Sequence, residues 1–226
     1  MKNYSTFDIL GPIMIGPSSS HTAGAARLGK VAMEIAGNDF EAVTFYLHGS
    51  FAKTYKGHGT DRALVAGVLG MEPYDERLKN SLNIAKEKGI KIRFVETDLG
   101  YEHPNTVKIV FYMKDGRKID VTGSSIGGGS IIITNINGYN VEFSGMYPTL
   151  VIKHIDKKGI ISKVTTVLAK HDINIATMKV NRKTKGKEAS MIIETDHEIN
   201  PIVIEELQNI KEITNVKAIN PIKKRC

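Results

Sequence analysis

Cysteine is all but missing from this chain: Cys226 is the only one, and it is the last of 226 residues. A disulfide within the chain is therefore impossible, and so is a zinc site built from several thiolates. An iron–sulphur cluster takes about four Cys ligands, so this chain alone cannot hold one. One thiol and no disulfide fit a reducing compartment, and the expected location is the cytoplasm. No apolar run approaches the ~18 residues that a membrane span needs. The N-terminus, MKNYSTFDILGPIMIG, is too polar and too broken by Gly and Pro for a signal peptide. No membrane association is expected.

The composition that remains is 41% hydrophobic and 24% charged, that of an ordered globular chain with a real core in one large or two small domains. Lys and Arg number 31 against 24 Asp and Glu, a formal charge of +7. The excess is unevenly placed. Residues 1–147 carry 16 basic and 15 acidic residues, whereas 148–226 carry 15 and 9. It gathers in the RKTKGK stretch (182–187) and the KKR tail (223–225). Neither run interleaves aromatics for base stacking, so the charge reads as solvated surface and no nucleic-acid partner is expected.

The pattern changes near Met146-Tyr147-Pro148, which suggests domains at 1–146 and 148–226. In the first, Ala25, Leu28, Ala32 and Ile35 recur at helical spacing over 21–36, with Gly37 as the stop. EAVTFYL (41–47) reads as a strand. Thr60 and Asp61 offer cap chemistry for a helix ending near Gly70, and Pro73 opens another that stops at Gly89. IKIRFV (90–95) is a strand. Asp115-Gly116 and Asn137-Gly138 then mark two hairpins. The class is α+β, an antiparallel sheet with helices on one side. From 150 onward the order is strand, helix, two strands, helix, strand, a ferredoxin-like βαββαβ unit. One such unit of ~75 residues leaves a sheet face partly uncovered and tends to find a partner.

Three stretches are rich in chemistry. Ser18, Ser19, Ser20, His21 and Thr22 put four hydroxyls and an imidazole before a helix, where free backbone N–H groups and the helix dipole favour a carboxylate or phosphate. One helix cap needs one hydroxyl, not four and a histidine. In Gly57-His58-Gly59-Thr60-Asp61, two glycines free the backbone to bring the imidazole to a ligand, and Asp61 could orient it. Gly127, Gly128 and Gly129 allow close approach of a ligand or an anion-binding turn; neither a Walker loop nor a dinucleotide fingerprint fits their spacing. His103-Pro104-Asn105-Thr106 is adequately explained as an X-Pro turn before a strand, and His48 and His197 read as structural. His21 and His58 lie outside HExxH spacing, so no protein-only metal site is expected. In the second part, Asp156 and Gly159-Ile160 turn a strand into a helix whose free N-terminus could take an amino-acid carboxylate, and Asn174 could hold the amino group across an interface.

Taken together, GPSSSHTAGAARLG, KGHGTDRALVAGVLG, HPNTV and SSIGGGS resemble the substrate-binding domain of iron–sulphur-dependent L-serine dehydratases, and the second part resembles an ACT domain. The resemblance covers essentially the whole chain and is to the beta subunit of the two-subunit form. It implies conversion of L-serine to pyruvate and ammonia without pyridoxal phosphate. It further implies a four-iron four-sulphur cluster, held by a separate alpha subunit, that acts on the serine hydroxyl while a base removes the α-proton. His21 and His58 are then the catalytic candidates at the subunit junction, and which of them is the base stays open. Ser18, Ser19, Ser20, Thr22, Gly59, Thr60, Asp61, Gly127, Gly128 and Gly129 would bind substrate. Asp156, Gly159, Ile160 and Asn174 would bind a regulatory ligand, and the ACT part would self-associate. The family's terminal cluster Cys belongs to the catalytic part, so Cys226 is not expected to replace it. Similar domains occur in some phosphoglycerate dehydrogenases, so a non-catalytic serine-sensing module is the alternative.

Overall fold

A computed structural model describes residues 13–182 and 184–219. Cys226, the 223–225 tail, Lys183 of the basic stretch and most of the N-terminal segment lie outside the described residues. By internal contacts the chain divides into two units, Met1–Gly138 and Tyr139–Cys226. Among the described residues no helix is long and apolar enough to cross a membrane.

In the first unit a π-helical turn, Ser19–Gly24, leads directly into helix α1 (Ala25–Ala36). The expected single helix therefore begins two residues early and starts wide. Isolated π turns are rare and favour functional positions. Strand β1 (Phe40–Leu47) follows, then α2 (Gly49–Thr54), α3 (Thr60–Val68), a 3-10 turn (Glu76–Asn80), α4 (Ser81–Glu87) and β2 (Lys91–Glu96). Helix α2 has no counterpart in the sequence expectation, and the helix expected from Pro73 is divided between the 3-10 turn and α4. Strands β3 (Thr106–Met113), β4 (Lys118–Gly127) and β5 (Ser130–Ile136) complete the unit.

These strands lie in the order β2-β1-β3-β4-β5. Pairing is antiparallel for β1–β3, β3–β4 and β4–β5. The β1–β2 pair is parallel. A parallel pair needs a long crossover, and helices α2 to α4 supply it. Alternation sets the faces: Val107, Ile109, Phe111 and Met113 of β3 are buried, while Lys108, Val110 and Tyr112 are half-buried. Phe45, Leu47, Phe51, Leu64 and Leu28 fill the core with no exposed surface beyond 1%. Each such side chain contributes roughly 1.5–3 kcal/mol by leaving water. At the last hairpin Asn137 (φ 51°) and Gly138 (φ 75°) both take the left-handed region that a tight Asn-Gly turn requires.

The second unit opens with β6 (Tyr139–Phe143) and then runs β7 (Thr149–Ile155), α5 (Ile160–Lys170), β8 (Ile175–Arg182), β9 (Glu188–Thr195), α6 (Pro201–Gln208) and β10 (Ile213–Ile219). Strand order β10-β7-β9-β8, all antiparallel, is the expected βαββαβ arrangement. Leu150, Ile152, Val164, Leu168, Met191, Ile193, Val203 and Leu207 form its core. Helix α6 starts with Pro201 in its first turn, and the Asn200 side chain accepts from Ile202 N–H at 3.0 Å. The segment at β6 bonds to this sheet: Lys179 Nζ pairs with Glu142 at 2.7 Å, Asn181 Nδ2 donates to Asn140 O at 3.1 Å, and Ser144 Oγ donates to Glu194 at 3.2 Å. Strand β8 is exposed along almost its whole length.

Candidate active site

The serine-rich turn and the Gly-His-Gly turn meet in the first unit. Ser18 has extended backbone (φ −139°) and caps the π turn: its Oγ accepts from His21 N–H at 3.1 Å. The π turn then carries the half-buried His21 ring between two hydroxyls. Nδ1 lies 3.5 Å from Ser18 Oγ and Nε2 lies 3.1 Å from Ser50 Oγ. The ring meets Phe51 edge-on at 5.3 Å between centroids and the His58 ring at 5.0 Å, tilted by 57°.

His58 sits in the turn between α2 and α3, its N–H donating to Thr54 O at 3.0 Å. Its ring is exposed and, among the described residues, makes no hydrogen bond. The two imidazoles thus differ. Burial pulls the His21 pKa below its ordinary value, and the neighbouring His58, whose charge would repel a second proton, lowers it further. One ring is held and kept toward its neutral form, and the other is accessible. Such a pair places two neighbouring imidazoles where a proton can be taken up or passed on.

Other expected residues take different places. Gly59, at φ 70°, is the residue preceding α3, so Thr60 is its first helical residue and not its cap. Thr60 is fully buried, and its Oγ1 has no partner among the described residues. The Asp61 carboxylate accepts from Arg62 N–H at 2.8 Å and is not bonded to His58. It sits in the first turn, where a negative charge suits the helix dipole. Thr22 is buried and, among the described residues, its Oγ1 likewise has no partner. Ser19 and Ser20 stand half-buried in the π turn. Gly127, Gly128 and Gly129, at φ 102°, 59° and 76°, form the β4–β5 turn. That turn is tied to α1 by Arg27 Nη1, which donates to Gly129 O at 2.6 Å. Burial lowers the Arg27 pKa, and Glu72 opposes that shift.

Sequence reasoning missed Ser50 and Phe51, which carry half of the contacts to His21. Both lie on α2, whose six residues are too few to show a period. Among the described residues no group of three His, Cys, Asp or Glu could hold a metal ion. The described donor set does not fit an iron–sulphur cluster.

In the second unit, Gly159 (φ 83°) precedes α5, and Ile160 is buried in the core. The Asp156 carboxylate is occupied: Gly186 N–H donates to it at 3.0 Å and Arg182 Nη1 at 3.1 Å. Asn174 Nδ2 donates to Asp196 at 2.6 Å. Asn174 adjoins the Ile175 end of β8, whereas Asp156 lies beside its Arg182 end. About 20 Å of strand separates them, so one chain does not bring them together.

Comparison with known proteins gives two family matches: the serine dehydratase beta chain over residues 5–135 and the ACT domain over 149–212. The probable L-serine dehydratase beta chain of Bacillus subtilis is 48% identical, covering 97% of this chain and 99% of that protein. The L-serine dehydratase beta chain of Peptoniphilus asaccharolyticus is 43% identical with the same coverage. A D-3-phosphoglycerate dehydrogenase of Bacillus subtilis is 32% identical over 87% of this chain but only 37% of its own length.

Proposed function

Because the chain belongs to the serine dehydratase beta chain family, we propose that it is the beta subunit of a cytoplasmic L-serine ammonia-lyase and is inactive alone. The reaction takes the α-proton and the β-hydroxyl from L-serine as water. The resulting aminoacrylate tautomerises to an imine, and water hydrolyses it to pyruvate and ammonia. The four-iron four-sulphur cluster of that chemistry belongs, in this reading, to a separate alpha subunit.

The observation that carries the proposal is the His21–His58 pair, 5.0 Å between ring centroids, assembled from two separate motifs. His58, exposed and with no hydrogen bond to its ring among the described residues, is the group able to take the α-proton. His21, kept toward its neutral form, stands next to it as the second proton carrier. The π turn with Ser18, Ser19 and Ser20 and the glycine turn at 127–129 offer hydroxyl and backbone donors for the substrate carboxylate.

The ACT unit is proposed to bind serine as an effector and to self-associate along β8, the exposed edge of its sheet. Pairing two copies would let Gly159 and Ile160 of one meet Asn174 of the other. The likeness to the dehydrogenase supports a second reading, a serine-sensing module without catalysis.

His21→Ala and His58→Ala, each assembled with the alpha chain, separate the two. Loss of kcat/KM for serine by more than tenfold in either supports the catalytic reading. A change of no more than a few-fold in both, with serine still bound by the chain, favours the sensor. Anaerobic purification from the native cell supplies the partner test: a brown protein should co-elute with this chain and with serine deaminase activity.

A further inference from the structure

We propose that Ser50 is a positioning residue that fixes the orientation and tautomer of His21, and that the His103-Pro104-Asn105-Thr106 turn serves the site by holding Ser50 in place. The catalytic part of this inference rests on the reading of His21 as a proton carrier.

The hold on the ring is unequal. The 3.5 Å approach of Ser18 Oγ to Nδ1 is at the outer limit of a hydrogen bond, whereas Ser50 Oγ reaches Nε2 at 3.1 Å. A neutral imidazole has one donor and one acceptor nitrogen, and the partner of one decides the state of the other. Ser50 is therefore the side chain that holds the ring more closely, and its hydroxyl, able to donate or accept, stabilises the tautomer that it pairs with at Nε2.

Ser50 is itself fixed from behind. Its N–H donates to Pro104 O at 2.8 Å, and Phe51 N–H points to the same oxygen at 3.4 Å. Gly49 makes this approach possible. It has φ 55°, and a Cβ there would stand 2.6 Å from Pro104 O and 2.8 Å from its Cα, both backbone atoms with nowhere to yield. The turn is anchored in turn to β4. Thr106 Oγ1 donates to His103 O and shares a hydrogen bond with Ser124 Oγ, both at 2.6 Å, and Ser125 N–H donates to Asn105 O at 3.0 Å. The X-Pro turn thus has a second task beyond starting a strand: a continuous line of bonds runs from β4 through Pro104 and Ser50 to His21.

The test uses the full chain with nitrogen-15 in its histidines. In the wild type the two ring nitrogens of His21 should show the well-separated shifts of one neutral tautomer. Ser50→Ala should move them toward the averaged values of a mixture, and Ser50→Thr, which keeps the hydroxyl, should restore the separation. Ser50→Cys, of similar volume but a weak partner, gives the same reading if the alanine variant does not fold. Unchanged His21 shifts in Ser50→Ala or Ser50→Cys overturn the proposal. Assembled with the alpha chain, Ser50→Ala should lose about 10–100-fold in kcat with little change in KM. Altered shifts with full activity overturn the positioning role if His21→Ala is inactive. If His21→Ala is also fully active, it is the catalytic reading of His21 that falls, while the Ser50 contact stands.

Discussion

Gly67 lies against Gly29 where α3 crosses α1: a Cβ at position 67 would stand 2.8 Å from Gly29 Cα and 2.1 Å from Ala26 O. The reverse contact is as close, since a Cβ at 29 would stand 2.4 Å from Leu64 O. Helix α1 is entered through the π turn that carries His21, and α3 follows His58 and Gly59 directly. The backbone contact between two glycines therefore helps to set how far apart the two imidazoles stand.

Gly67→Ala should force the helices apart, because every near neighbour of the new methyl is backbone. Overpacking of this kind costs about 1–3 kcal/mol. For a chain of this size that corresponds to a fall of roughly 2–4 °C in Tm per kcal/mol. The variant should also lose activity with the alpha chain, although residue 67 is remote from substrate in the proposed site. Thermal unfolding and serine turnover measure the two effects, and an unchanged Tm would show that the crossing has slack that this geometry denies.

The state of His21 makes a pH prediction. Its folded pKa lies below its ordinary value, so between the two values the unfolded chain binds more protons than the folded one. The advantage of the folded state is complete above about pH 6.5, the ordinary histidine value, and is lost as pH falls through the lower, folded pKa. Urea unfolding of the wild type should show falling stability over that window, and His21→Gln should flatten it. Burial is the larger cause and His58 the smaller. His58→Gln should accordingly raise the His21 pKa only part of the way to its ordinary value, as read by the titration of its ring signals. A full return would mean that the charge of His58, not burial, dominates.

Much of this molecule was legible in its sequence, for identifiable reasons. The βαββαβ unit announces itself because its strands and helices are local and its turns carry Gly, Asn and Asp. His21 and His58 were each singled out by chemistry, as imidazoles in Gly- and Ser-rich turns, whereas their joint placement at one site came only with the family resemblance. What stayed hidden depends on contacts distant in sequence. Helix α2 exists because Pro104, more than fifty residues away, accepts from its first N–H groups, and a six-residue helix has too little intrinsic stability to leave a pattern. Ser50 was invisible for the same reason. The parallel β1–β2 pair follows from the helical crossover between them, which hairpin signals do not report. Thr60 looked like a cap because its hydroxyl fits one, but the left-handed Gly59 starts the helix and leaves that hydroxyl buried.

The Asp156 carboxylate has two partners within its own unit. The Gly186 N–H is the larger reason that its pKa lies below the ordinary carboxylate value, and the Arg182 guanidinium adds to it. The turn between β8 and β9 is thereby tied to the end of β7. Asp156→Ala removes both bonds, so the Gly186 amide should exchange with solvent faster than in the wild type. Asp156→Asn keeps an acceptor oxygen for Gly186 and should exchange at an intermediate rate. A depressed folded pKa gives stabilisation that is present above the ordinary carboxylate value, about 3.9, and is lost as pH falls through the folded one. Protection of Gly186 in the wild type should therefore drop only below the ordinary carboxylate value, while Asp156→Ala should show no such step. Wild-type protection in Asp156→Ala would show that the carboxylate does not hold this turn and is free for another ligand.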